Sequence, residues 1–219
     1  MDAKDLTLDE LRAVLAPAIA DAAVFDGWSD LAIEAAARQH GVEPAVARLA
    51  FRGGAMDMIG AWAAAVDAAM DDAFASSDLA ELPVRERIRR LITFRLGEVA
   101  GKEEALKRAL AIMAMPQNAK RALRMGWSSA DTMWRLAGDA SADYNHYTKR
   151  AILAGIYAAT LSVFADDQSE GKAETLSFLE RRIQGIIRFE KAKARLAPDP
   201  DRGFSMARFL GRLRYPARP

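Results

Sequence analysis

Two side chains of catalytic type lie close together in the second half of the chain. Asp143 and His146 are three residues apart, so on a helix they would share one face. A carboxylate and an imidazole in that relation could hold a metal ion together. One such pair is a weak signal, because di-iron helix bundles use several carboxylates and two such histidines. The other histidine, His40, is far away in sequence, so we expect a non-catalytic protein with neither a metal site nor a cofactor.

Composition removes further kinds of site. The chain of 219 residues contains no cysteine, which excludes a disulfide framework and a cysteine-ligated zinc or iron–sulfur centre. Gly53 and Gly54 do not follow a strand pattern, so they do not predict a phosphate-binding loop. Because 51% of the residues are hydrophobic, the chain can bury a sizeable core. These features favour a binding protein over an enzyme.

Helical patterns run along the whole chain and predict an all-α protein. Thr7 and Glu10 form a capping-box pattern at the start of a first helix that ends near residues 26–27. Ser29 caps a second helix that closes at Gly41, and Pro44 opens a third. Three short helices in succession predict a helix-turn-helix layout.

The remaining elements are also predicted to be helices, separated by glycine, proline and turn residues. They cover residues 55–75, 85–99, 103–115, 117–126 and 128–136, then a long helix from near residue 143 and a last core helix that ends before residue 198. We divide the chain into a helix-turn-helix-like region at 1–80, a larger helical region at 81–197, and a basic tail at 198–219.

The formal net charge of +1 conceals an asymmetry between the two halves. Residues 1–82 carry 5 Lys and Arg against 15 Asp and Glu, whereas residues 83–219 carry 26 against 15. The third helix, residues 43–52, is mostly small and apolar. A DNA-binding helix needs basic and hydrogen-bonding side chains close to the phosphates. The sequence therefore predicts that this helix-turn-helix does not bind nucleic acid.

Large apolar residues are numerous in the second region, where they could form an ordinary core or the walls of a cavity for an apolar ligand. The residue types are the same in both cases, so the sequence leaves both interpretations open. The candidate lipid-binding residues are Leu91, Phe94, Met113, Met115, Trp127, Tyr157, Leu161 and Phe164.

The tail is a basic amphipathic segment, with five arginines and no acid from Arg202 onward. Such a segment lies in the interface of an anionic membrane, although it could equally form a strap on the protein's own surface. The candidate membrane-binding residues are Phe204, Arg208, Phe209, Leu210, Arg212 and Leu213. The acidic N-terminus predicts no targeting segment, and the longest apolar stretch, residues 151–165, is shorter than the ~20 residues that span a bilayer. We expect a cytoplasmic protein.

The segment WRLAGDASADYNHYTKR at residues 134–150 resembles the signature of a ubiquinone-biosynthesis accessory family, the ninth coenzyme Q biosynthesis protein. The similarity extends over about residues 110–190. The N-terminal region also resembles TetR regulators, whose fold that family shares. The residues that carry this resemblance are Gly27-Trp28, Gly41-Val42 and Phe51. Glu43 and Arg48 replace a serine cap and a tyrosine usual in those regulators, in keeping with lost DNA recognition.

The resemblance implies a homodimeric, TetR-like protein that binds an isoprenoid quinone intermediate or another lipid and presents it to the demethoxyubiquinone hydroxylase. It places the protein on the inner face of the membrane, with the tail in the position of the family's membrane helix. It also implies that Met133, Trp134, Asp143, His146, Tyr147 and Arg150 lie on or beside the hydroxylase-docking surface, where we expect Met133 and Tyr147 to be exposed. The alternatives are a TetR-type ligand-sensing repressor and a structural adaptor without a ligand.

Overall fold

The computed structural model describes residues 6–139 and 144–196, which form helices and connecting turns without a strand. The predicted all-α class is therefore confirmed. The α-helices in chain order are α1 Leu8–Asp26, α2 Asp30–Gln39, α3 Pro44–Ala50, α4 Ala55–Phe74, α5 Val84–Glu98, α6 Glu103–Met113, α7 Ala119–Leu136, α8 Tyr144–Asp166 and α9 Ala173–Leu196.

The first three helices begin and end where the sequence signals predict. The Thr7 hydroxyl accepts a hydrogen bond from the Glu10 amide at 3.3 Å, and the Glu10 carboxylate accepts one from the Thr7 amide at 2.8 Å, completing the capping box of α1. Gly41 follows α2 with φ of 66°, in the left-handed region that glycine adopts without strain. Pro44 occupies the first turn of α3, where its missing amide hydrogen costs no helical bond.

The core of the N-terminal half consists mainly of small and aliphatic side chains. Leu11, Leu15 and Ile19 recur along one face of α1 and are at most 1% exposed. Burial of each such side chain stabilises the fold by roughly 2 kcal/mol. Trp28 and Trp62 close this core, with ring centroids 5.4 Å apart. Packing of apolar surface thus accounts for this part of the fold.

Helix α1 and the turn that follows it are joined to α6 by hydrogen bonds between residues distant in sequence. The Trp28 indole Nε1–H donates to the carbonyl of Ala105 at 2.9 Å. The Arg108 guanidinium donates to the carbonyls of Ala23 and Phe25, at 3.4 and 3.1 Å. Because Arg108 donates to carbonyls in the last turn of α1, a side chain of α6 caps the C-terminal end of α1.

The two helices predicted at 117–126 and 128–136 form one continuous helix, α7, so that prediction was wrong. Gly126 lies inside α7, and a Cβ atom built on it would stand 4.0 Å from the side chain of Ala154 on α8. A glycine costs an α-helix only about 1 kcal/mol, which tertiary packing readily offsets. Gly126 therefore sits at the α7–α8 interface without ending the helix.

The turn after α8 is organised by Asp167, which is 3% exposed. Its carboxylate accepts hydrogen bonds from the amides of Ser169 and Thr175, both at 2.8 Å, and from both their hydroxyls. These bonds stabilise the charged form and hold the pKa of Asp167 well below its usual range. The start of α9 is thereby fixed.

Described residues up to Arg181 form one compact unit, and the sites below lie within it. None of the described helices has the length and hydropathy needed to cross a membrane. Asp143 and the tail residues from Phe204 to Leu213 lie outside the described part of the chain.

Candidate functional site

Helices α7 and α8 are held together by an ion-pair cluster whose centre, Arg150 and Asp139, is buried. The Arg150 side chain is 3% exposed, and its guanidinium donates to Asp131 at 2.5 Å and to Asp139 at 3.1 Å. Asp139, whose side chain is 7% exposed, also accepts a hydrogen bond from Lys149 at 2.7 Å. A buried charge requires a close partner of opposite sign, because desolvation would otherwise be too costly. Arg150 therefore fixes the position of α8 against α7 from beneath the surface.

Aromatic side chains lie above this cluster. The Tyr147 ring centroid is 6.0 Å from that of Trp127 and 5.1 Å from that of His146. The Lys149 ammonium stands 5.5 Å from the centre of the Trp134 ring, a cation–π contact. Tyr147 is 62% exposed. The α7–α8 face thus exposes aromatic side chains to solvent, and the ion pairs of Arg150 hold the two helices beneath them in place.

The structure gathers four of the predicted docking residues at this face: Trp134, His146, Tyr147 and Arg150. Met133 is different, because it is 0% exposed and the expectation that it is exposed was wrong. It shares the buried side of α7 with Ala130 and Ala137, three residues before and four after it. A docking role for these residues stays a prediction.

The predicted lipid-binding residues are divided between core and surface. Leu91, Tyr157 and Phe164 are buried, and Met115 is 43% exposed. The other four are half-buried: Phe94, Met113, Trp127 and Leu161. A groove of about 600 Å³ lies between α1 and α4 near Arg121, floored by alanines of α4, and none of the eight predicted residues lines it. The lipid pocket therefore stays a prediction.

Sequence reasoning missed a second buried ionic cluster, centred on Arg95 of α5. Its side chain is 2% exposed, pairs with Asp67 of α4, and donates to the Ser129 hydroxyl of α7 at 3.0 Å. The guanidinium carbon lies 4.7 Å from the centre of the Tyr157 ring of α8. Burial raises the pKa of Tyr157, which keeps the phenol neutral. One arginine thus joins four helices.

A sequence signal for this cluster exists. The buried residues of α5 recur at positions 88, 91, 92, 95 and 96, so Arg95 occupies a core position of a helical stripe. An arginine at such a position must have a buried partner, since an unpaired charge is rarely buried.

The outer face of α3 carries little of the basic and hydrogen-bonding chemistry that a DNA-recognition helix uses. The basic side chain of α3, Arg48, is ion-paired with Glu34 of α2. Val46 and Leu49 of α3 are 40% and 38% exposed, so apolar groups occupy much of its outer face.

Among the described residues, no group of three or more His, Asp and Glu could hold a metal ion.

This order of helices defines a TetR-like fold. A solved TetR transcriptional regulator from Nitrosomonas europaea superimposes with a TM-score of 0.63 at 21% identity, covering 82% of this chain and 99% of that one. The predicted TetR-like fold is confirmed.

A more specific similarity lies in the second half of the chain. The COQ9 family model matches residues 119–190, which contain α7, α8 and the turn at Asp167. The ubiquinone biosynthesis protein COQ9, mitochondrial, of Rattus norvegicus is 40% identical over 104 residues, which are 48% of this chain and 31% of the relative. The Drosophila melanogaster protein of that name is 28% identical over 193 residues, 86% of this chain and 59% of the relative. The resemblance to this family is therefore confirmed, and the match spans about a third of the first relative's length.

Proposed function

We propose that this protein is a non-catalytic accessory protein of ubiquinone biosynthesis. It binds an isoprenoid quinone intermediate or another lipid and presents it to the demethoxyubiquinone hydroxylase at the membrane surface. The COQ9 match and the names of the relatives support the pathway. The observation that carries the proposal is the α7–α8 face, where the matched segment places exposed Tyr147 on a base fixed by Arg150.

This face has the features of a protein-docking surface. Interface energy is concentrated in a few aromatic and arginine residues on well-packed supports. Tyr147 projects from a helix whose position is set by buried ion pairs, so it loses little conformational freedom on binding. Trp134, His146 and Tyr147 provide the aromatic part of the surface.

Lipid binding and dimerisation are supported by the composition of α8. From residue 151 to 165 this helix carries no charged side chain. It buries Leu153, Tyr157 and Phe164 on one side, while Ala151 and Ala158 are exposed on another. A helix that is apolar all round is covered by other surfaces in the functional state. We propose that its inner side borders the lipid and its outer side meets a second copy of the chain.

We place the docked complex on the inner face of the membrane, with the tail at 198–219 as the anchor. Truncation after Pro200 is expected to abolish flotation with anionic liposomes without lowering thermal stability. If the truncated protein floats equally well, the membrane contact lies elsewhere. If truncation lowers the melting temperature instead, the tail is an intramolecular strap.

The docking test replaces Tyr147 and measures affinity for the hydroxylase. Tyr147→Ala is expected to weaken binding by about 2 kcal/mol, which is about 30-fold in Kd. Phe25→Ala is the matched control, because Phe25 is 84% exposed but lies at the end of α1. Equal affinities for the parent and Tyr147→Ala would refute this docking site.

The lipid test is native mass spectrometry of the purified protein, followed by organic extraction. We expect a dimer that releases a quinone or phospholipid. A protein that purifies empty from a ubiquinone-producing host, with no change in melting temperature on adding quinone, is an adaptor without a ligand.

The TetR-type repressor is the alternative, and the fold alone favours it. The acidic helix-turn-helix segment and the Arg48–Glu34 ion pair oppose it. We expect duplex DNA to bind no more tightly than roughly 10⁻⁴ M at physiological salt, as in weak non-specific association. Submicromolar, sequence-specific binding would establish the repressor instead.

A further inference from the structure

One exposed stripe of α7 carries Lys120, Leu123 and Arg124, which neither the core nor the docking face explains, and meets the docking face at Trp127, whose ring centroid lies 6.0 Å from that of Tyr147. Lys120, Leu123, Arg124 and Trp127 are spaced three and four residues apart and lie on one face of the helix. Leu123 is 76% exposed, a high value for a leucine inside a regular helix. Lys120 and Arg124 are exposed as well, and Trp127 is half-buried.

The charge of this stripe is uncompensated. Residues 119–130 contain no Asp or Glu. Arg121 points to another side of α7 and pairs with Asp57 of α4. Burial acts to raise the pKa of Asp57, but the contact with Arg121 helps to hold that pKa below its usual range. Within the described part of the chain, no ion pair joins Lys120 or Arg124 to an acid. Their charge is therefore available to an external anion.

We propose that this α7 stripe contacts an anionic lipid surface, with Leu123 and Trp127 in the headgroup region and Lys120 and Arg124 against lipid phosphates. Tryptophan prefers this depth because its ring is apolar while its N–H is polar. Lysine and arginine bury their apolar stems at such an interface and keep their charged ends among the headgroups. This goes beyond the proposed function, because it assigns a membrane contact to the folded unit in addition to the tail.

The dimensions favour a membrane over a protein partner. The stripe from Lys120 to Trp127 is about 10 Å long, from the rise of an α-helix. A stable protein interface needs roughly 800 Å² from each partner and some 20 residues. Four side chains are too few for that, but each basic residue near an anionic surface contributes independently.

The absence of cysteine makes a site-specific test straightforward. Leu123→Cys in the full-length chain is labelled with an environment-sensitive nitrobenzoxadiazole dye. Leu31→Cys is the matched control, because Leu31 is an exposed leucine on α2, at 61%, in the acidic half. Both positions face solvent, so neither label disturbs the core.

With vesicles of equal parts phosphatidylcholine and phosphatidylglycerol, we expect the label at 123 to brighten and shift to the blue. The label at 31 is expected to stay unchanged, as is either label with pure phosphatidylcholine. No response at 123, or the same response at both positions, overturns the proposal even if the tail recruits the protein to the vesicles.

A charge variant gives an independent measurement. Lys120→Gln/Arg124→Gln is expected to weaken partitioning onto the same anionic vesicles by about 30-fold, from about 1 kcal/mol for each basic residue. The control is Arg38→Gln/Arg52→Gln, which removes two exposed arginines of the N-terminal half. Equal losses of vesicle partitioning in the two double variants, or no loss in Lys120→Gln/Arg124→Gln, contradict the proposal. The affinity of both double variants for the hydroxylase is expected to be unchanged, which separates membrane contact from docking.

Discussion

The helix-turn-helix-like region, α1–α3, and the α4–α8 bundle handle charge in opposite ways. In the first region ion pairs lie at the surface, as for Arg48 and Glu34, whose side chains are 44% and 29% exposed. In the bundle, Arg95 and Arg150 are 2% and 3% exposed. Apolar packing holds both regions, and the bundle adds buried charges that require one another. Substitutions of charged residues should therefore separate the two regions.

The largest effect is expected at Arg95. Arg95→Met removes the cation from a mostly buried carboxylate, Asp67, and should lower the free energy of unfolding by about 3–5 kcal/mol. The double variant Arg95→Met/Asp67→Leu should regain most of this loss, because neither charge is then left uncompensated. Urea denaturation measures both variants, and a double variant as unstable as the single one would contradict the argument.

Arg150 allows a direct comparison with Arg48. Arg150→Met should cost about 3 kcal/mol, since Asp139 and Asp131 lose a shared partner inside the α7–α8 interface. Arg48→Met breaks an exposed pair and should cost less than about 1 kcal/mol. Thermal unfolding of the two variants side by side measures the difference. Similar losses would mean that the regions do not differ as we describe.

Asp167 makes part of the bundle's stability dependent on pH. Because hydrogen bonds from Ser169 and Thr175 lower its pKa in the folded state, its contribution is complete above the unfolded pKa of about 4 and is lost as the pH falls below that value. The melting temperatures of the parent and Asp167→Asn should differ most near pH 7 and converge in acid. A constant difference between pH 7 and pH 3 would exclude this role.

A small effect is also expected at the helix caps of the first region. Thr7→Ala removes a capping box and should cost about 1 kcal/mol. Ser29 precedes α2 without a side-chain capping bond, so Ser29→Ala should cost less. Chemical denaturation of both variants checks the order, and the reverse order would show that the capping box does not stabilise α1.

Local sequence signals predicted the helix boundaries where short-range chemistry decides them. Thr7 and Glu10, Gly41 and Pro44 all lie where their own backbone requirements place them. Gly126 misled the prediction, because its place inside α7 depends on α8, which is remote in sequence.

The candidate site was only partly predictable for the same reason. Tyr147 and Arg150 were found through a resemblance that covers the α7–α8 segment. Met133 was misjudged because a methionine suits a docking surface and a core equally, and only packing decides between them. Arg95 was overlooked although its place on an apolar stripe marked it as buried.

The hydrogen bonds between α1 and α6 also constrain the order in which the chain folds. Trp28 and Arg108 bond with partners that are 77 and 83 to 85 residues away in sequence. Contacts between residues so far apart in sequence form late in folding, because closing the long intervening loop costs conformational entropy. During synthesis, the end of α1 must therefore wait for α6 to leave the ribosome. Nascent chains that stop before residue 105 should remain open to proteolysis near Phe25.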